Sequence, residues 1–215
     1  MNIVQNFVSP SKYNIKCPYP MTPEFIVVHN TANDASAKNE IAYMISNNNQ
    51  VSFHYAVDDK EIVQGIPENR NAWHAGDGAS GPGNRKGIGI EICYSKSGGQ
   101  RFIEAEKLAA KFIAHKLKEK GWGIDRVKKH QDFSDKYCPH RTLDMGWQRF
   151  LDMVKSELDK LKGGTAVAGK DKPSNWAQEA WEWAKKEGLL DGTRPKDNLT
   201  REEFAVVLKK VVDGK

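Results

Sequence analysis

Two short runs rich in β-branched residues limit what this chain can become more than any other feature. They are Phe25-Ile-Val-Val-His29 and Gly87-Ile-Gly-Ile-Glu91-Ile-Cys-Tyr94. Runs this short, apolar and β-branched read as buried strands rather than helices. In the second, Ile88, Ile90 and Ile92 fall on one face and Gly89, Glu91 and Cys93 on the other. Residues 51–57 and 61–65, joined by the turn Asp58-Asp59-Lys60, read as a hairpin, and residues 126–130 as a short sheet edge. Between these strands the apolar period becomes helical. Ile41, Met44 and Ile45 share one face. Residues 101–120 line up Ile103, Leu108, Phe112 and Leu117 before Gly121 stops the helix, and residues 144–162 carry Trp147, Phe150, Leu151, Val154, Leu158 and Leu161. Helices laid on a mixed central β-sheet make an α/β fold the expected architecture.

The run from Gly163 to Pro173 is small, flexible in composition and free of large apolar residues, so it reads as a linker. It separates a large domain, residues 1–162, from a small all-α helical hairpin, residues 174–215. The first tail helix runs through Trp176, Trp181 and Ala184 to Gly188. The second begins at the cap Thr200, with Glu203 three residues later, and carries Phe204, Val207, Leu208 and Val211. About 40 residues rarely bury enough surface to stand alone. The tail is therefore expected to dock on the larger domain or to self-associate.

Charge and cysteine content narrow the function classes. The net charge of +5 lies mostly in the first 162 residues and suits a polyanionic surface. No aromatic-basic recognition motif accompanies it, so no nucleic acid partner is expected. No apolar run is long enough to span a bilayer, so no membrane partner is expected either. The N-terminus lacks the basic start and apolar core of a signal peptide, which predicts a cytoplasmic product. Three cysteines make no disulfide framework and fit a reducing compartment.

The chemistry-bearing residues sit where strands end. His29 closes the first run. His130 and Cys138 lie in His130-Gln-Asp-Phe-Ser-Asp-Lys136-Tyr-Cys138-Pro-His140. Two imidazoles and a thiolate are three good zinc ligands, and three leave a fourth tetrahedral position open, as catalytic sites do. Spacing alone does not choose this over a strand-end histidine and a small buried cysteine. Glu91 also has two readings. A carboxylate turned inward from an apolar strand has a raised pKa and suits a general base, whereas one turned outward is merely solvated. Lys136 is either held near a metal bound at Cys138, where it can stabilise an oxyanion, or solvated. His54 reads as a packed core residue, and His140 as pointing away from the site. Trp73-His74, in the Gly-rich loop 67–86, reads as a wall for a substrate.

Several longer runs carry a resemblance. They include Pro10-Ser-Lys-Tyr13, Lys16-Cys-Pro-Tyr19, Val28-His-Asn-Thr31, Val51-Ser-Phe-His54, Ala56-Val-Asp-Asp-Lys60, Gln64-Gly-Ile-Pro67, Asn71-Ala-Trp73, Glu91-Ile-Cys-Tyr94 and Lys136-Tyr-Cys-Pro-His-Arg141. In these, residues 1–162 resemble the zinc-dependent N-acetylmuramoyl-L-alanine amidases, whose fold is shared with the peptidoglycan recognition proteins. The likeness is strongest to amidase domains of phage and prophage endolysins from Gram-positive spore-formers. The resemblance implies Zn2+ held by His29, His130 and Cys138. It implies Glu91 as catalytic acid/base, Lys136 as oxyanion stabiliser, and Asn30, Trp73 and His74 as substrate contacts. The substrate implied is bacterial peptidoglycan, cut between N-acetylmuramic acid and L-alanine. An endolysin would be made in the host cytoplasm and reach the wall through a membrane pore; a host autolysin and a non-catalytic wall binder are the alternatives. One departure stands out. Some family members have a catalytic tyrosine where this chain has Phe53, which carries no proton. The tail resembles a single S-layer homology repeat. That implies a secondary cell-wall polymer as partner, with Thr200 and Arg201 at an anionic pocket, although Glu202 stands where such repeats usually have alanine.

Overall fold

The two β-branched runs lie side by side at the heart of one six-stranded sheet. The computed structural model describes residues 1–162, 178–189 and 201–212. In chain order the first unit contains β1 (Val4–Gln5), α1 (Tyr13–Lys16), β2 (Phe25–Asn30), α2 (Ala37–Ser46), β3 (Tyr55–Val57) and β4 (Ile62–Gln64). It continues with α3 (Pro82–Lys86), β5 (Gly87–Ile92), α4 (Gly99–Lys120), β6 (Val127–Lys129), α5 (His140–Asp144) and α6 (Trp147–Leu161). A second unit, Gly163–Lys215, contains α7 (Gln178–Lys186) and α8 (Arg201–Val212). The linker 163–173, Trp176 and Thr200 lie outside the described residues, and Arg201 is the first residue of α8.

The sheet order is β1-β4-β3-β5-β2-β6. The expected hairpin is the antiparallel pair β3/β4, and every other neighbouring pair is parallel. The mixed α/β class is therefore what the chain adopts. Register sets the faces. Tyr55 pairs with Ile90, and Val57 with Ile92, so these side chains share a face with Ile88. Helix α4 covers that face, with the Phe112 ring edge-on to Tyr55 at 4.8 Å. Helix α2 covers the other, where a Cβ on Gly65 would sit 2.6 Å from Met44 and 2.9 Å from Ile41. Both faces are buried, which is why β5 is a near-continuous apolar run.

Some details differ from the sequence reading. The buried stripe of α4 runs through Phe102, Ala105, Ala109, Phe112, Ile113 and Leu117, while Ile103 and Leu108 flank it half-buried. Gly121 ends α4 in the left-handed region, φ 68°, its N–H bonded to Leu117 and Lys118 carbonyls. The expected helix 144–162 is α6, which starts at Trp147 because Gly146, at φ 104°, separates it from α5. The loop 67–86 contains α3, entered through Pro82. Among the described residues no helix is long and apolar enough to cross a membrane.

A buried ion cluster ties α4 to the segment after the hairpin. Lys116 and Lys120 each lie 2.8 Å from a different oxygen of Glu68, and the Tyr55 hydroxyl donates to Glu68 at 2.7 Å. This segment leads directly to Trp73 and His74.

Candidate active site

The candidate residues gather at the carboxyl ends of three adjacent parallel strands, where open α/β sheets place their ligand crevices. His29 is the penultimate residue of β2 and lies in register with Glu91 of β5. His130 follows the last residue of β6, the other neighbour of β2. Cys138 sits in the loop from β6 to α5. The ligand atoms of His29, His130 and Cys138 all lie within 4.8 Å of one another, and all three residues are buried. Nδ1 of His29 is 2.9 Å from Nδ1 of His130 and 3.9 Å from Sγ of Cys138.

Hydrogen bonds assign the protons. The Gly87 carbonyl can only accept, so Nε2 of His74, 3.2 Å away, donates to it. A neutral His74 then has a lone pair on Nδ1, which accepts from Nε2 of His29 at 3.0 Å. This leaves Nδ1 of His29 as a lone pair aimed at His130 and Cys138. Burial supports neutral rings: it holds His29 well below the usual histidine value, with nearby His74, His130 and Lys136 adding to the effect. Burial likewise takes His74 to about 3, with the His54 charge contributing, and His130 to about 4, helped by Lys136. Burial raises the Cys138 thiol to about 11, and the Glu91 charge adds to it. Two neutral imidazoles and a buried thiol with no carboxylate among them form a donor set that a bound divalent cation would convert to thiolate and satisfy.

Glu91 turns inward. Burial raises it to about 8, Glu40 adds repulsion, and Lys136 draws it down. Its Oε2 is buried without a hydrogen-bond partner among the described residues. Such an oxygen is costly to leave unused. Lys136 lines the same cavity of about 570 Å³, together with His29, His74, His130, Gln50, Val51, Phe53, Trp73 and Ser134.

Of the three expected substrate contacts, Trp73 and His74 line the cavity and Asn30 does not. The Asn30 Oδ1 accepts from the Arg141 and Thr142 amides at 3.0 and 3.1 Å, and its Nδ2 donates to the His29 carbonyl and the Thr142 hydroxyl. It caps the free amides at the start of α5. His74 lines the cavity with both ring nitrogens bonded, to His29 and Gly87, and so orients His29. Trp73 lines the cavity as expected, and its indole N–H donates to the Ile15 carbonyl at 2.9 Å. His54 is fully buried, accepting from the Gly89 amide and bonded to the Arg70 carbonyl. His140 reaches the Ser95 carbonyl at 3.3 Å, away from the ligand group. Sequence reasoning missed Gln50, Val51 and Ser134 in the lining. Among the described residues the buried Ser134 hydroxyl has no hydrogen-bond partner, and no spacing signal marks it.

The family model described as N-acetylmuramoyl-L-alanine amidase matches residues 19–141. The amidase CwlA of Bacillus subtilis (strain 168) is 56% identical over 200 residues, covering 91% of this chain and 74% of the relative. The amidase XlyB of the same organism is 58% identical over 178 residues, covering 82% of this chain but only 55% of the relative. Among solved structures, PlyL superposes with a TM-score of 0.71 at 55% identity, covering 73% of this chain and 99% of its own.

Proposed function

Because this chain belongs to the N-acetylmuramoyl-L-alanine amidase family, we propose that it is a zinc-dependent peptidoglycan hydrolase of the endolysin type. It cuts the amide that joins N-acetylmuramic acid to L-alanine of the stem peptide. The observation that carries this is Glu91, an inward carboxylate whose Oε2 has no hydrogen-bond partner among the described residues, in register with His29 of a buried His/His/Cys group.

His29, His130 and Cys138 would hold the metal. Zinc bound there supplies Lewis acidity toward the scissile carbonyl and lowers the pKa of a water toward neutrality. Glu91 accepts the proton of the attacking water and returns it to the departing amine of L-alanine. A carboxylate whose proton affinity is raised by burial suits both halves of that transfer. Lys136 places its ammonium beside the developing oxyanion. Phe53, 7% exposed in the cavity lining, has no proton to give, which leaves that task to Glu91. The tail is proposed to bind a wall polymer, on the strength of its sequence resemblance.

The test is digestion of purified Gram-positive walls with zinc-loaded protein, scoring new amino termini and new reducing ends separately. New L-alanine amino termini without reducing ends are expected. Glu91→Gln should lower the rate by about 10²–10⁴-fold while wall binding persists. Walls bound by the unaltered protein with neither product formed would leave a recognition protein instead.

A further inference from the structure

Lys16 is fully buried, yet it lies well outside the ligand group. It belongs to α1, a single turn near the N-terminus, and its ammonium enters the loop that follows α2. There Nζ donates to Asn47 Oδ1 at 2.9 Å, the Asn49 carbonyl at 2.6 Å and the Val51 carbonyl at 3.0 Å. Three donors meet three acceptors, so the ammonium is saturated by one loop. Asn47 Oδ1 also accepts from the Asn49 amide at 2.9 Å, which tightens the same turn. Lys12, one helical turn earlier, reaches the carbonyls of Ile45, Ser46 and Asn47 at the end of α2.

This loop supplies part of the active-site lining. Gln50, Val51 and Phe53 face the cavity, and so does Trp73. The two strips are joined through Ser52. Its amide donates to the Trp73 carbonyl at 3.0 Å, and its hydroxyl accepts from the Trp73 amide at 2.9 Å. The same hydroxyl donates to the Lys16 carbonyl at 2.5 Å, and the Trp73 indole donates to the Ile15 carbonyl. One turn of the N-terminal segment thus holds both strips, by backbone carbonyls at Ser52 and Trp73 and by a buried ammonium at 47–51.

We propose that Lys16 is a positioning residue that sets the place of the Gln50–Val51–Phe53–Trp73 wall and thereby substrate affinity. It touches neither the ligand group nor the reacting atoms, so its loss should loosen binding and spare the chemical step. An apolar residue of similar length fills the space but leaves three acceptors without their donor. The argument rests on the amidase reading for the identity of the substrate, but not for the clamp itself.

The experiment uses full-length protein and a soluble muramoyl peptide. Lys16→Met should raise KM at least about fivefold with kcat within about twofold, the signature of lost binding rather than lost transition-state contact. Leu158→Ala, a core truncation in α6, serves as a destabilised control and should leave KM unchanged. Amide hydrogen exchange reads the clamp without a substrate. Ser52 and Trp73 should exchange faster in Lys16→Met while β5 amides do not. If Lys16→Met does not fold, Asn47→Ala, which removes one acceptor from this largely exposed loop, is measured in its place with the same expectations. An unchanged KM in a folded variant overturns the proposal, as does a rise matched by Leu158→Ala or exchange that quickens uniformly. If the unaltered protein leaves the muramoyl peptide intact, the amidase reading fails, and local or uniform exchange still decides for or against the clamp.

Discussion

Replacing Glu68 by glutamine tests how the cleft loop is fastened to the scaffold. Burial alone would raise this carboxyl, yet hydrogen bonds from Lys116, Lys120 and Tyr55 hold it at about 2, against an ordinary 4.5. At about 1.36 kcal/mol for each tenfold change in proton affinity, the charged form contributes about 3 kcal/mol at neutral pH. The side chain is only 15% exposed, so solvent screening takes little of this away. The sign follows from the depressed value. The contribution is complete above the unfolded-state pKa and is lost as pH falls from about 4.5 to about 2, so that less than half of it remains at pH 3. Urea unfolding followed by circular dichroism at pH 7 and pH 3 measures it. With a slope of about 2 kcal/mol/M, Glu68→Gln should lower the pH 7 midpoint by about 1.5 M and the pH 3 midpoint by less than half of that. An equal drop at both pH values would refute the charge argument. A drop equivalent to under about 1 kcal/mol at pH 7 would show that the pairs merely offset the cost of burying them.

Further expectations concern the site itself. Cys138→Ser removes one of the three proposed ligands and should weaken zinc binding by more than the roughly 100-fold that loss of a ligand's supporting hydrogen bond can cost; competition with a chromophoric chelator reads this, and unchanged affinity would remove Cys138 from the proposed set. Gly89→Ala would place a Cβ 2.8 Å from the His74 ring. It should cost about 1–3 kcal/mol by overpacking and also weaken zinc binding, because His74 orients His29; a normal melting temperature with normal zinc affinity would show that His74 is free to move aside.

How much of this was legible beforehand follows from what each property depends on. The strands at β2 and β5, the hairpin and the mixed α/β class were readable because burial leaves a period in the sequence: two for a strand, 3.6 for a helix. The start of α6 was not, because Gly146 looks like an ordinary helical glycine until the fold gives it a positive φ. The ligand residues could be named from their chemistry and from family resemblance. Their convergence followed from the resemblance and not from spacing, since His29 and His130 meet through the parallel pairing of β2 with β6, and the Gln131 amide bonded to the Cys138 carbonyl brings Cys138 back beside them.

The sequence by itself determined which residues could ligate, transfer a proton or build a core, because those capacities belong to the side chain. Only the tertiary structure decided which capacities are used. It turned Glu91 inward, spent Asn30 on capping α5, bonded His74 to His29, and buried Lys16 beneath the cleft wall. Hydrogen bonds and burial are properties of pairs, and residues distant in sequence become pairs only when the sheet register places them.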